Sequence, residues 1–168
     1  ADYDELIDHP VEMGDFSLGH FEAAGVHHDI VLTGRHDCDL ERLAEDLGRV
    51  CEWQVALFGA PPPMDYYAFL TMVVGDGYGG LEHRASTALL CSRADLPWKG
   101  MDGLPEGYRT FLGLCSHEYF HTWNVKRLRP AEFSAYQYGA ENYTQLLWFF
   151  EGFTSYYDDL LLRRAGLI

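Results

Sequence analysis

The sequence predicts an α+β fold, and three observations carry that expectation. Apolar residues make up 48% of the 168-residue chain and aromatic residues 15%, enough to fill a core and too much for a disordered segment. Apolar spacing changes along the chain, from β-branched runs to the three- and four-residue steps of amphipathic helices. The predicted order is strand, helix, strand and then two long helices, without the steady alternation of a doubly wound sheet.

Residues 1–20 hold Pro10, Gly14 and Gly19 among acidic side chains and read as an irregular lead-in. Residues 21–33 become β-branched in their second half and stop at Gly34, which predicts one strand. Asp37 or Asp39 can cap a helix over 40–57, where Leu40, Leu43, Ala44, Leu47, Val50 and Cys51 fall on one face. Pro61, Pro62 and Pro63 end it. Residues 66–74 (YYAFLTMVV) form the clearest strand, turned by Gly75-Asp76-Gly77. Residues 84–107 are rich in turn formers. Helix returns over 108–125 and over 144–164, on either side of a polar stretch after Pro130. The whole of 1–168 reads as one domain.

Charge excludes several partners. A net charge of −14 repels phosphate backbones and anionic lipid, so neither nucleic acid nor a membrane surface is expected. No apolar run approaches the roughly 20 residues of a membrane span. The chain opens on Ala1 without a signal-peptide pattern and closes near a helix end, which reads as a piece of a longer, soluble protein, cytoplasmic or periplasmic. The four cysteines have no CxxC spacing. Cys91 and Cys115 follow apolar residues and read as buried thiols. Cys38 and Cys51 could pair, though nothing demands it.

The strongest chemical signal is His117-Glu118-Tyr119-Phe120-His121, an HExxH. On a helix the two histidines share a face and can offer two imidazoles to one metal ion, with Glu118 placed to take a proton from bound water. Eight His among 168 residues, with the Glu content of this chain, give the pattern by chance in about 3% of shuffles. The flanking Leu112, Leu114, Phe120 and Trp123 make the helix mostly buried, where three polar side chains need partners or a metal. Zinc is the expected ion, one per chain, since imidazole and carboxylate suit it.

A third ligand must come from elsewhere. Asn124 and Arg127 stand where a metzincin would have glycine and histidine, which excludes that class. Glu132, Glu141 and Glu151 remain. Spacing tempts toward Glu141, but Glu151 lies within an apolar helix where a lone carboxylate is costly without a cation. Asp158, two turns beyond it, could accept the free ring N–H of a ligating histidine. Gly75-Asp76-Gly77-Tyr78-Gly79-Gly80 formally matches GxGxxG, but no helix opens after it and a hairpin turn is the better reading. His27 and His28, on opposite faces of a strand, cannot chelate together and read as surface residues. Tyr156 and Tyr157 could donate to an oxyanion, although helix packing explains them as well.

HEYFHTWNVKRLRP, the later LLWFFEGFTSYYDDLLLRR and the earlier Gly79-Gly80-Leu81-Glu82-His83 together resemble the glycyl aminopeptidase family of gluzincin metallopeptidases, which usually carry a PDZ domain. The resemblance runs from about Asp65 to Arg164. It implies a thermolysin-like catalytic core with a small sheet whose edge strand borders the cleft, zinc ligands His117, His121 and Glu151, and Glu118 as general base. It implies further that Glu82 holds the α-ammonium of a peptide substrate, while Gly79 and Gly80 let the substrate backbone lie close. His83 departs from the related GxMEN pattern, which has Asn there. The expected activity is removal of small amino-terminal residues. An endopeptidase on the same core, or a metal- or peptide-binding module without turnover, are the alternatives.

Overall fold

The computed structural model describes residues 2–135 and 137–168. A short helix α1 (Tyr3–Ile7) precedes a hairpin of β1 (Phe16–Ala23) and β2 (Val26–Thr33), followed by helix α2 (Leu40–Phe58) and strands β3 (Tyr66–Val74), β4 (Tyr78–Glu82) and β5 (Ser86–Ser92). Helices α3 (Glu106–Phe120) and α4 (Leu147–Arg164) complete the chain. The sheet order is β1-β2-β3-β5-β4. Its inner pairs β2–β3 and β3–β5 are parallel, and its outer pairs β1–β2 and β4–β5 antiparallel.

The mixed α/β character agrees with the predicted class, but several elements differ from expectation. The irregular lead-in instead contains α1 and most of β1. The single strand predicted over 21–33 is the hairpin, because Ala24 and Gly25 both take positive φ (50° and 77°) and reverse the chain. Alanine hides such a turn from a sequence reading. Here Glu52 of α2 accepts the Ala24 N–H at 2.8 Å and holds it. Strand β5 lies within the stretch expected to be turns. It is a central strand with Thr87, Leu89 and Cys91 buried and Ala88, Leu90 and Ser92 half-buried. Because apolar Ala88 and Leu90 stand on the less covered face, its sequence lacks the polar alternation that marks a half-exposed strand. The turn at Gly75–Gly77 does not close a hairpin. β5 inserts between β3 and β4, and the hairpin turn is at His83–Ala85.

Helix α2 keeps its predicted extent to within one residue. The Asp39 side chain accepts the Arg42 N–H at its start, and Gly59 ends it ahead of the prolines. Helix α3 stops at Phe120, short of the predicted 125, and continues as turns. Helix α4 begins three residues later than expected, after the Thr144 hydroxyl accepts the Leu146 N–H. Helices α2 and α3 cover one face of the sheet, and α4 packs on α3 and α2. The core between them is built from Ile30, Leu43, Leu47, Phe69, Leu112 and Tyr119, each essentially inaccessible. The opposite face leaves Phe16, Leu18, Met72 and Leu81 exposed. All four cysteines are free thiols, so no Cys38–Cys51 disulfide forms. No described helix is long and apolar enough to cross a membrane.

His28 corrects another expectation. It is wholly buried rather than on the surface, stacked on Phe21 at 4.7 Å between ring centroids. Its Nδ1–H donates to the Val26 carbonyl (2.9 Å) and its Nε2 accepts the Tyr119 hydroxyl (3.0 Å). Burial takes its pKa down to about 4. Its neighbour His27 does face outward, bonded to Asp29 at 2.8 Å.

Candidate metal centre

Helix α3 carries His117 and Glu118 on its last turn, with His121 as the C-cap residue. One helical turn separates the two imidazoles, whose ring centroids lie 4.8 Å apart. Each ring is oriented through Nδ1. His117 Nδ1–H donates to the Asp158 carboxylate at 3.1 Å, and His121 Nδ1–H donates to the Asn124 carbonyl at 2.9 Å. The two Nε2 atoms are thereby turned toward Glu151 of α4, whose Oε2 lies 3.2 Å from that of His117 and 3.7 Å from that of His121. Two imidazole nitrogens and a carboxylate oxygen, within 4.8 Å of one another, fit a zinc-type cation in donor chemistry and spacing.

Charge at the site follows from this crowding. Burial pulls the His117 pKa down, but the Asp158 hydrogen bond and the carboxylates of Glu118, Asp158 and Glu151 carry it above the ordinary value. His121 is deeper and titrates lower, through burial and the neighbouring His117. Glu118 is only 5% exposed, and its Oε2 has no hydrogen-bond partner. Burial raises its pKa to about 7, with Glu82 and Glu151 adding to the rise and His117 and Lys126 opposing it. A carboxyl group of that pKa can give and take a proton near neutrality.

The edge strand β4 closes the other side. Glu82 brings a carboxylate oxygen within 4.8 Å of donor atoms on Glu118 and His121. Gly80 lies against Glu118 so closely that a Cβ there would fall on its carboxylate. Alternation along the strand turns Gly79 to the opposite face, where a Cβ would meet nothing within 4 Å. Gly79 is therefore not brought to the cleft as Gly80 is. Glu141 sits apart on an exposed loop, accepting the Tyr143 hydroxyl, and Glu132 is exposed on a short 3₁₀ turn. Tyr156 faces solvent, and Tyr157 stacks on Phe120 at 5.2 Å.

Two contributors escaped the sequence reading. Besides orienting His121, Asn124 donates from Nδ2 to the Phe150 carbonyl and the Thr154 hydroxyl, both at 3.2 Å, which ties the second histidine to α4. Its position three residues after that histidine was the available signal. Lys126 places Nζ 3.7 Å from Glu82 Oε1 and 3.7 Å from Asp8 Oδ1. No local pattern pairs those three residues.

Comparison with known proteins gives two findings. Residues 110–168 match the family model of M61 glycyl aminopeptidase. The chain is also similar to the crystal structure of an aminopeptidase N family protein from Idiomarina loihiensis, at 53% identity and a TM-score of 0.90. That alignment covers 92% of this chain and 26% of the other, so the chain spans about a quarter of the relative's length. None of the curated proteins compared is similar enough to count as a match.

Proposed function

We propose, with the likeness of residues 110–168 to the M61 glycyl aminopeptidases as premise, that the chain is the metal-binding core of a zinc aminopeptidase with a thermolysin-like gluzincin arrangement. In this reading 1–168 is one catalytic domain of a longer protein. The observation that carries it is the convergence of both HExxH imidazoles on Glu151, each ring fixed by a hydrogen bond at its other nitrogen. Zinc bound there by His117, His121 and Glu151 would supply Lewis acidity to water and to a peptide carbonyl.

The chain's own residues do the rest. Glu118 takes the proton of the attacking water and passes it to the leaving amine, a role its burial and its pKa of about 7 favour. Asp158 and Asn124 keep the two imidazoles in the tautomer that presents Nε2. Among the described residues strand β4 pairs with β5 alone, which leaves its outer edge to an extended peptide. Gly80 lets that peptide approach Glu118, and Glu82, at the end of the strand, binds the substrate's α-ammonium. This last contact favours an aminopeptidase over an endopeptidase.

Metal analysis tests the centre. Protein stripped with a chelator and reloaded should hold one tight zinc, lost in His121→Ala, severely weakened in Glu151→Ala and unchanged in Glu141→Ala. Absence of tight zinc from the reloaded native sequence would sink the reading. Peptide specificity tests Glu82: acetylating the substrate's amino terminus should abolish cleavage, and Glu82→Ala should shrink the gap by harming free peptides. Equal cleavage of blocked and free peptides would instead assign an endopeptidase.

A further inference from the structure

We propose that Lys126 is a movable counter-ion for Glu82, and thereby sets how strongly the cleft selects a free amino terminus. Without substrate its ammonium pairs with Glu82, and when a peptide's α-ammonium arrives it passes to Asp8. The inference rests on Glu82 being the ammonium clamp proposed above.

Two equal distances carry it. Lys126 Nζ lies 3.7 Å from Glu82 Oε1 and 3.7 Å from Asp8 Oδ1. Both exceed the roughly 2.7–3.2 Å of a hydrogen bond, so the ammonium is committed to neither carboxylate and a small swing favours either. The groups around it are fixed. Asp8 accepts the Arg84 N–H at 2.8 Å, and its other oxygen lies 3.8 Å from His83 Nδ1. The Lys126 N–H donates to the His121 carbonyl at 3.1 Å. Arg127 donates to the carbonyls of Arg84, Thr122 and Pro63 at 3.0, 2.7 and 2.8 Å, which ties the turn after α3 to the β4–β5 hairpin. Backbone at both ends of the relay is held, and the freedom lies in the ammonium.

Charge balance gives the two positions their purpose. Glu82 and Glu118 bring carboxylate oxygens within 4.8 Å of each other, and Glu118 is 5% exposed, so the clamp is costly without a resident cation. The Lys126 side chain is itself only 18% exposed, so displacement by a second ammonium needs a waiting anion. Asp8 supplies it. His83, where the related pattern has Asn, helps to hold that acceptor.

Nuclear magnetic resonance titration of the zinc-free chain with glycinamide tests this, with acetylglycinamide as the probe lacking the ammonium. The native sequence should prefer glycinamide. Asp8→Asn keeps an oxygen for the Arg84 N–H but leaves Lys126 on Glu82, and should weaken glycinamide by about tenfold. Lys126→Met removes the competitor and should tighten it by about tenfold. The double variant should bind as tightly as Lys126→Met alone, because Asp8 matters only through Lys126. Circular dichroism verifies that the variants fold. A double variant back at native affinity would reveal only the additive pull of nearby charges and overturn the relay. Weakening by both single substitutions, or by neither, overturns it too, and in all these outcomes a preference for glycinamide leaves the clamp standing. Equal binding of the two probes, or none, overturns both.

Discussion

Gly80 shows how much a missing side chain can decide. The position needs no unusual backbone; it needs empty space, because the Glu118 carboxylate fills the volume a Cβ would take. Gly80→Ala must push Glu118 aside or part β4 from α3. The expected stability cost is that of overpacking, about 1–3 kcal/mol, while the proposed hydrolysis should fall by about 10²–10⁴-fold through displacement of its proposed base. Comparing thermal unfolding with turnover separates the two effects. Turnover equal to that of the native sequence would show that Glu118 has room the structure does not give it. Metal affinity should change little, because neither residue belongs to the set on His117, His121 and Glu151.

At the level of elements, the centre is a joint between α3 and α4, fastened above and below the proposed ion. Asp158 ties His117 to the middle of α4, and its carbonyl accepts the Ser116 hydroxyl at 3.1 Å. Asn124 ties the turn after α3 to Phe150 and Thr154. Asp158→Ala should lower zinc affinity by about 10–100-fold, measured by competition with a chelating dye. Asn124→Ala keeps the carbonyl that orients His121, loses only the ties to Phe150 and Thr154, and should cost less. An effect confined to Asn124 would mean that His117 keeps its tautomer without help. The HExxH was legible because its geometry is local: one helical turn fixes both imidazoles whatever surrounds them. Glu151 and Asp158 were legible because charged residues at two-turn spacing stood out in an apolar helix. Lys126 and Asn124 were not, because their partners come from β4, α1's C-cap Asp8 and α4. β5 was obscured because apolar Ala88 and Leu90 occupy its half-buried face, and the alternation that separated His27 from His28 could not say which one points inward.

For the whole molecule, His28 links the sheet to the helix that bears the HExxH, through the Tyr119 hydroxyl. Its pKa falls from an ordinary 6.5 to about 4, chiefly by burial. Between those values the unfolded chain binds a proton that the folded chain refuses, so stability declines as pH drops through the window. The full effect approaches about 3 kcal/mol. Thermal unfolding from pH 7 to pH 4 should therefore fall less steeply in His28→Phe than in the native sequence. Parallel slopes would locate the acid sensitivity elsewhere.

The free edge of β4 has a consequence beyond catalysis. A strand whose outer N–H and C=O groups find no strand partner among the described residues, with glycines in place of bulky side chains, can accept an extended backbone, including that of another copy of itself. Long-range repulsion opposes such pairing, since the chain bears a net charge of −14. That protection thins with added salt, as the screening length contracts from about 10 Å at 0.1 M to about 3 Å at 1 M. Concentrated salt should thus bring out edge-to-edge association, and a peptide lying along β4 should suppress it.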